Sequence, residues 1–170
     1  MQRYTVSLDI SKLKPCISEK SFDIHYNQVY RDHVEKFNSE HTDFAFHKAG
    51  CKLHELYFEN IRHFKENNLP YGKALELIQY RYGSWENFLK TLYDQAGRLQ
   101  GSGWVFMNGA GYINIIPNNR LVENVAFIID LWEHAYILTH GNDRVSYLRA
   151  HLGLIDWDVV NARLLKGKSE

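Results

Sequence analysis

Residues 128–138, IIDLWEHAYIL, place Asp130, Glu133 and His134 inside an otherwise apolar run, with Trp132 and Tyr136 among them. Asp130 and His134 fall one helical turn apart, so both can share a face. An unpartnered polar group in such surroundings costs several kcal/mol, roughly 2–7. Two arrangements would repay that cost: a salt-bridged structural network, or two ligands of one metal ion. Further candidate ligands lie upstream. His25 shares a stripe with Phe22 and Phe37, and His54 lies beside the apolar stripe of Leu53, Tyr57 and Ile61. Three imidazoles and one carboxylate suit manganese, iron or zinc. A single carboxylate offsets only part of the metal charge, so solvent bound there would be acidified. Each residue also has a plain reading: D-x-x-x-H describes an ordinary cap or ion pair, and a lone histidine on an apolar face is commonly core.

The elements that must position these groups are legible from period and punctuation. Residues 1–17 read as an extended arm ending near Pro15. From Ser18, with Ser18 and Ser21 as candidate N-caps, Phe22, His25, Val29, His33 and Phe37 recur at helical spacing. A polar stretch at 38–43 precedes a second helical run, FHKAGCKLHELYFENIRHF, and the two make a helical hairpin. KENNLPYG, with Pro70 and Gly72, punctuates the chain as a linker. A helix around 73–80 follows, then another opening at Ser84. GWVFMN, GYINIIP and NVAFIID read as three short strands in a meander, and helices complete the chain. The architecture is α+β: an N-terminal arm and two-helix hairpin over 1–66, and over 67–170 a C-terminal domain of helices around a three-stranded antiparallel sheet.

Composition narrows the function. Twenty basic residues balance twenty acidic ones, which gives no pull toward nucleic acid or an anionic membrane. No segment approaches the roughly 20 apolar residues of a membrane span. Cys16 and Cys51 belong to no CxxC and read as free thiols in a reducing compartment, so a cytoplasmic protein is expected. The chain is 14% aromatic and carries nine histidines, a mild prompt toward metal chemistry.

DLWEHAYIL resembles the D-x-W-E-H-A-Y signature of the iron and manganese superoxide dismutases. The similarity runs through LKPCISEKSFDIHY, where Cys16 stands for the family's histidine, and through YGSWENF, QGSGWVFM, GNDRVSYL and IDWDVV. The resemblance implies His25, His54, Asp130 and His134 as ligands of one manganese or iron ion per subunit. It implies superoxide as substrate, and a homodimer or tetramer in which Glu133 bridges to the partner's ligand histidine. Trp104 and Trp132 would wall the site. The position of the family's gate tyrosine is His33, an imidazole that can donate a proton, titrates near neutrality and would make activity pH-sensitive. The glutamine that bonds metal-bound solvent is replaced: Gly50 occupies the iron-type position, and Asn119 the manganese-type one after the second strand. That arrangement leans weakly toward manganese. A polar pair that links subunits in the family is apolar here, as Val29 and Ile137. His41, His47, His63, His140 and His151 read as surface or capping residues, and Arg144 as a guide for an anion. The alternative is a relative that binds metal or builds structure with weakened or lost catalysis.

Overall fold

The computed structural model describes residues 1–166; residues 167–170, the tail of the expected second unit, lie outside the described residues. Ser18 caps the first helix through its hydroxyl, which accepts the Ser21 N–H, while Ser21 itself lies inside. One continuous rod then runs as α1 (Glu19–Phe22), a π-helical stretch (Asp23–Tyr30) and α2 (Arg31–Asn38). A π turn is wider than an α turn, and such segments occur mostly at functional sites. Here it changes which residues face inward. His25 and Tyr30, five apart, are buried, while Val29, expected on the buried stripe, is only half-buried. The return helix α3 (Phe44–Glu59) packs along α2 and against the sheet, and buries His47, Gly50, Leu53, His54 and Tyr57.

The stretch that follows α3 is held to the body of the protein. Arg62 N–H donates to Leu154 O, Lys65 N–H to Gly153 O, and Asn68 Nδ2 to the carbonyls of Leu152 and Ile155. The first residues are held too. In place of a plain extended arm there is a 3-10 turn at Ile10–Leu13, with Leu13, Cys16 and Ile17 buried and Lys12 O accepting the Phe64 N–H.

Helices α4 (Gly72–Tyr82) and α5 (Trp85–Arg98, capped by Ser84) lead into the sheet. Strands β1 (Gly103–Asn108), β2 (Ile113–Pro117) and β3 (Val125–Asp130) are antiparallel in the order β2-β1-β3. The expected meander is therefore corrected. The β2–β3 loop carries the chain past β1, and β3 pairs on the side of β1 away from β2. Although β3 lies at an edge of the sheet, all six of its residues are buried, and α3 and α8 (Trp157–Lys166) pack against it. A strand covered on both faces reads as continuously apolar rather than alternating. Helices α6 (Glu133–His140) and α7 (Arg144–Leu152) lie between β3 and α8. Among the described residues no helix is long and apolar enough to cross a membrane.

Candidate metal centre

Asp130 is the last residue of β3 and is fully buried. Its Oδ1 accepts the Trp132 N–H at 2.7 Å, which fixes the carboxylate at the strand end. Its Oδ2 then faces three imidazoles: His25 Nε2 at 3.0 Å, His134 Nε2 at 3.1 Å and His54 Nε2 at 3.8 Å. One ligand atom from each of the four residues lies within 4.8 Å of the others. The elements responsible are the π-helical stretch for His25, the middle of α3 for His54, and the first turn of α6 for His134.

The tautomer of His54 is set by its neighbour. His54 Nδ1 donates to the Gly50 carbonyl at 2.7 Å, and since a carbonyl only accepts, Nε2 is left as a bare lone pair aimed at the cluster. His25 Nε2 and His54 Nε2 are buried without a hydrogen-bond partner. The short approach of His25 to Asp130 lacks hydrogen-bond alignment and counts as proximity only. Burial pushes the pKa of His25 down and that of His54 well down, because the cation would be desolvated. Burial also opposes ionisation of Asp130, but the neighbouring His134 and His25 outweigh it and hold the carboxyl well below its usual range. A buried carboxylate thus faces two buried ring nitrogens without hydrogen-bond partners, one of them, His54 Nε2, a bare lone pair. A cation of borderline hardness fits that donor set, three nitrogens and one oxygen, and relieves both the orphaned nitrogens and the buried anion.

Aromatic rings enclose the cluster. Tyr30 stacks on His54 at 5.5 Å with an 8° interplanar angle, and Trp104 meets the same ring edge-on at 5.0 Å. Tyr57 and Phe58 pack on His25, each at 4.9 Å, and Trp132 stacks on His134 at 6.0 Å. Beyond Trp104 a polar chain leads outward. Trp104 Nε1 donates to Asn119 Oδ1 at 3.0 Å, Asn119 Nδ2 meets His33 Nε2 at 3.4 Å, and His33 Nδ1 meets His47 Nδ1 at 3.0 Å. Asn119 reaches this place because Asn118 before it adopts a left-handed φ of 61° and anchors its N–H on Ser102 O. Gly50 makes room for the chain: a Cβ there would lie 2.5 Å from His33 Nδ1.

Some expectations change at this point. His33 does not titrate near neutrality, since burial and then the neighbouring His47 push its pKa down to about 4. His47 and His151 are not surface residues; they are 5% and 1% exposed. Arg144 is engaged with the carbonyls of Leu99 and Gly101 rather than free to guide an anion. Glu133 is exposed beside the half-buried His134. The sequence reading missed Tyr30, hidden by the π turn, and His47. The latter had a signal, because it lies two helical turns before His54 on the same face of α3.

A family model described as "Iron/manganese superoxide dismutases, C-terminal domain" matches residues 70–163. A "Superoxide dismutase [Mn/Fe]" of Porphyromonas gingivalis is 32% identical over 180 aligned positions, covering 91% of this chain and 94% of the relative. A "Superoxide dismutase [Fe]" of Bacteroides fragilis is 32% identical, covering 89% and 93%, and one of Sulfolobus acidocaldarius is 29% identical, covering 92% and 90%. The chain belongs to the iron/manganese superoxide dismutase family. It is an oxidoreductase of that class, with an iron or manganese site.

Proposed function

We propose that His25, His54, Asp130 and His134 hold a single manganese or iron ion, and that the surrounding residues serve superoxide dismutation at it. The activity is that of the family: two superoxide ions and two protons become dioxygen and hydrogen peroxide. The bound ion supplies a one-electron couple between its 3+ and 2+ states. The observation that carries the assignment is the convergence of four ligand atoms within 4.8 Å, two of them buried imidazole nitrogens with no other partner.

The chain's own residues contribute three things. Asp130, pinned by the Trp132 N–H, provides a buried negative charge that offsets part of the ion's charge and so lowers its potential. Tyr30, Tyr57, Phe58, Trp104 and Trp132 exclude bulk water and keep the pocket small. Asn119 and His33 form a polar edge beside the centre, where the carboxamide nitrogen meets the His33 ring. Because the Asn119 carboxamide arrives from the loop after β2 and Gly50 leaves α3 without one, the arrangement favours manganese.

Residues 1–66 and 67–170 are read as two units with the ion between them. The chain works as a homodimer in which Glu133 orients His134 of the partner subunit, consistent with its exposure beside that ligand. The buried free thiols Cys16 and Cys51 fit a reducing compartment such as the cytoplasm.

The test is dismutation by protein reconstituted separately with manganese and with iron. Activity with the manganese form exceeding that with iron supports the whole reading. Stoichiometric metal with no dismutation in either form would leave a metal-binding relative without catalysis.

A further inference from the structure

The polar chain leading outward from the centre starts at a group with only one possible role. The indole N–H of Trp104 can donate and cannot accept. The Asn119 atom 3.0 Å away must therefore be its carbonyl oxygen, which turns the amide nitrogen toward His33. An amide nitrogen also only donates, so the His33 Nε2 it meets at 3.4 Å must be the unprotonated nitrogen. A neutral imidazole with a bare Nε2 carries its hydrogen on Nδ1. That atom lies 3.0 Å from His47 Nδ1, which must then accept, leaving the His47 hydrogen on Nε2. Every other assignment sets two donors or two acceptors face to face somewhere along the chain.

We infer that His47 is a positioning residue for dismutation: by accepting from His33 Nδ1 it locks His33 in the Nδ1–H tautomer, and through it fixes the Asn119 carboxamide beside the metal centre. His33 is then an orienting acceptor, and its site-facing nitrogen has no proton to give. The lock is also steric. His33 is wedged between Phe46, at 5.4 Å between ring centroids, and the backbone of Gly50. His33 and His47 are both buried, so water does not offer either ring an easy substitute partner. The inference rests on the proposed centre for its functional meaning, but the tautomers themselves exist without metal.

Nitrogen-15 NMR of the imidazoles reads them directly, on the full chain metal-free and again with diamagnetic zinc added. For His33 we expect Nδ1 to appear protonated and Nε2 bare, the reverse of the form that free histidine prefers. The variant H47N keeps an acceptor close to the position of Nδ1, whereas H47L has none. With H47L, His33 should show mixed tautomers, and kcat of the loaded enzyme should fall about tenfold while KM moves little, the size expected for one lost hydrogen bond. H47N should restore most of both. A bare Nδ1 on wild-type His33 overturns the inference, as does an H47L protein with unchanged His33 signals and kcat. Should H47L fail to fold, the wild-type tautomer and H47N decide. Because the tautomers are read without dismutation, a chain that lacks activity can still show the lock, and an active one can lack it.

Discussion

Replacing Gly50 with alanine tests how tightly the proposed centre and its outer polar chain are built together. The new methyl would sit 2.5, 2.6 and 2.7 Å from three atoms of the His33 ring. Ordinary contact begins near 3.4 Å, so the ring must retreat by roughly 1 Å in an interior packed at crystal-like density. The His33–Asn119 contact is already 3.4 Å long and would be lost, and the His47 contact on the other nitrogen would be misaligned. A displacement of that size at a positioning group lowers kcat by about ten- to a hundredfold. Stability should change little by comparison. Overpacking costs about 1–3 kcal/mol, while alanine in place of a helical glycine returns about 0.5–1 kcal/mol. The net loss is about 1 kcal/mol, a fall in Tm of roughly 2–4 °C for a chain of this length. Gly97 in α5 is the internal control, since a Cβ there meets nothing within 4 Å. Gly97→Ala should raise stability by about 0.5–1 kcal/mol and leave kcat alone. Stopped-flow decay of superoxide gives kcat, and calorimetry gives Tm. A Gly50→Ala protein with wild-type kcat and a Tm raised like that of Gly97→Ala would refute the packing argument.

Other outcomes follow from the same structure. His151 is buried with its pKa pushed down to about 3 from an ordinary 6.5, mainly by desolvation. The unfolded chain therefore takes up a proton that the folded chain refuses, and stability should fall as pH drops from 6.5 toward 3, by up to roughly 4–5 kcal/mol. Denaturant midpoints measured across that range should fall less steeply in His151→Leu, with the remaining slope coming from the other buried histidines. Asn68→Ala removes two donors from the buried carbonyls of Leu152 and Ile155 and should cost about 2–3 kcal/mol, seen as a lower urea midpoint at unchanged m. Trp104→Phe keeps the ring wall but removes the indole donor to Asn119 Oδ1. It should lower kcat about tenfold in the superoxide assay while metal content stays constant.

Much of the fold could be read along the chain because its signals are local. Ser18 and Ser84 are N-caps, the glycines around 109–111 mark the hairpin, and Asp130 closes an apolar strand. What was not legible depends on contacts distant in sequence or on departures from a regular period. The strand order β2-β1-β3 rests on pairing between segments distant in sequence, and no local signal states it. The π turn shifts the inward position from Val29 to Tyr30, so a stripe drawn at helical spacing misses that turn, although His33 on the same stripe is buried. At the centre, the gathered residues His25, His54, Asp130 and His134 were named from their types and their likeness to a family. The pKa of the His33 imidazole depends on its burial, and the sequence does not show that His47 and Gly50 enclose it. His151 was misplaced for the same reason, since its partners Cys16 and Tyr57 come from distant segments.

Four side chains are proposed to hold one redox ion. The most direct test is metal content by plasma mass spectrometry on protein loaded with manganese or iron and desalted, comparing wild type with His54→Gln. The four-ligand site predicts about one ion per wild-type chain, bound in step with dismutation, and less than about a tenth of that in His54→Gln, because the loss of a protein ligand removes several kcal/mol of binding. A wild-type chain that retains no manganese or iron, or a His54→Gln chain that keeps a full complement, would contradict it.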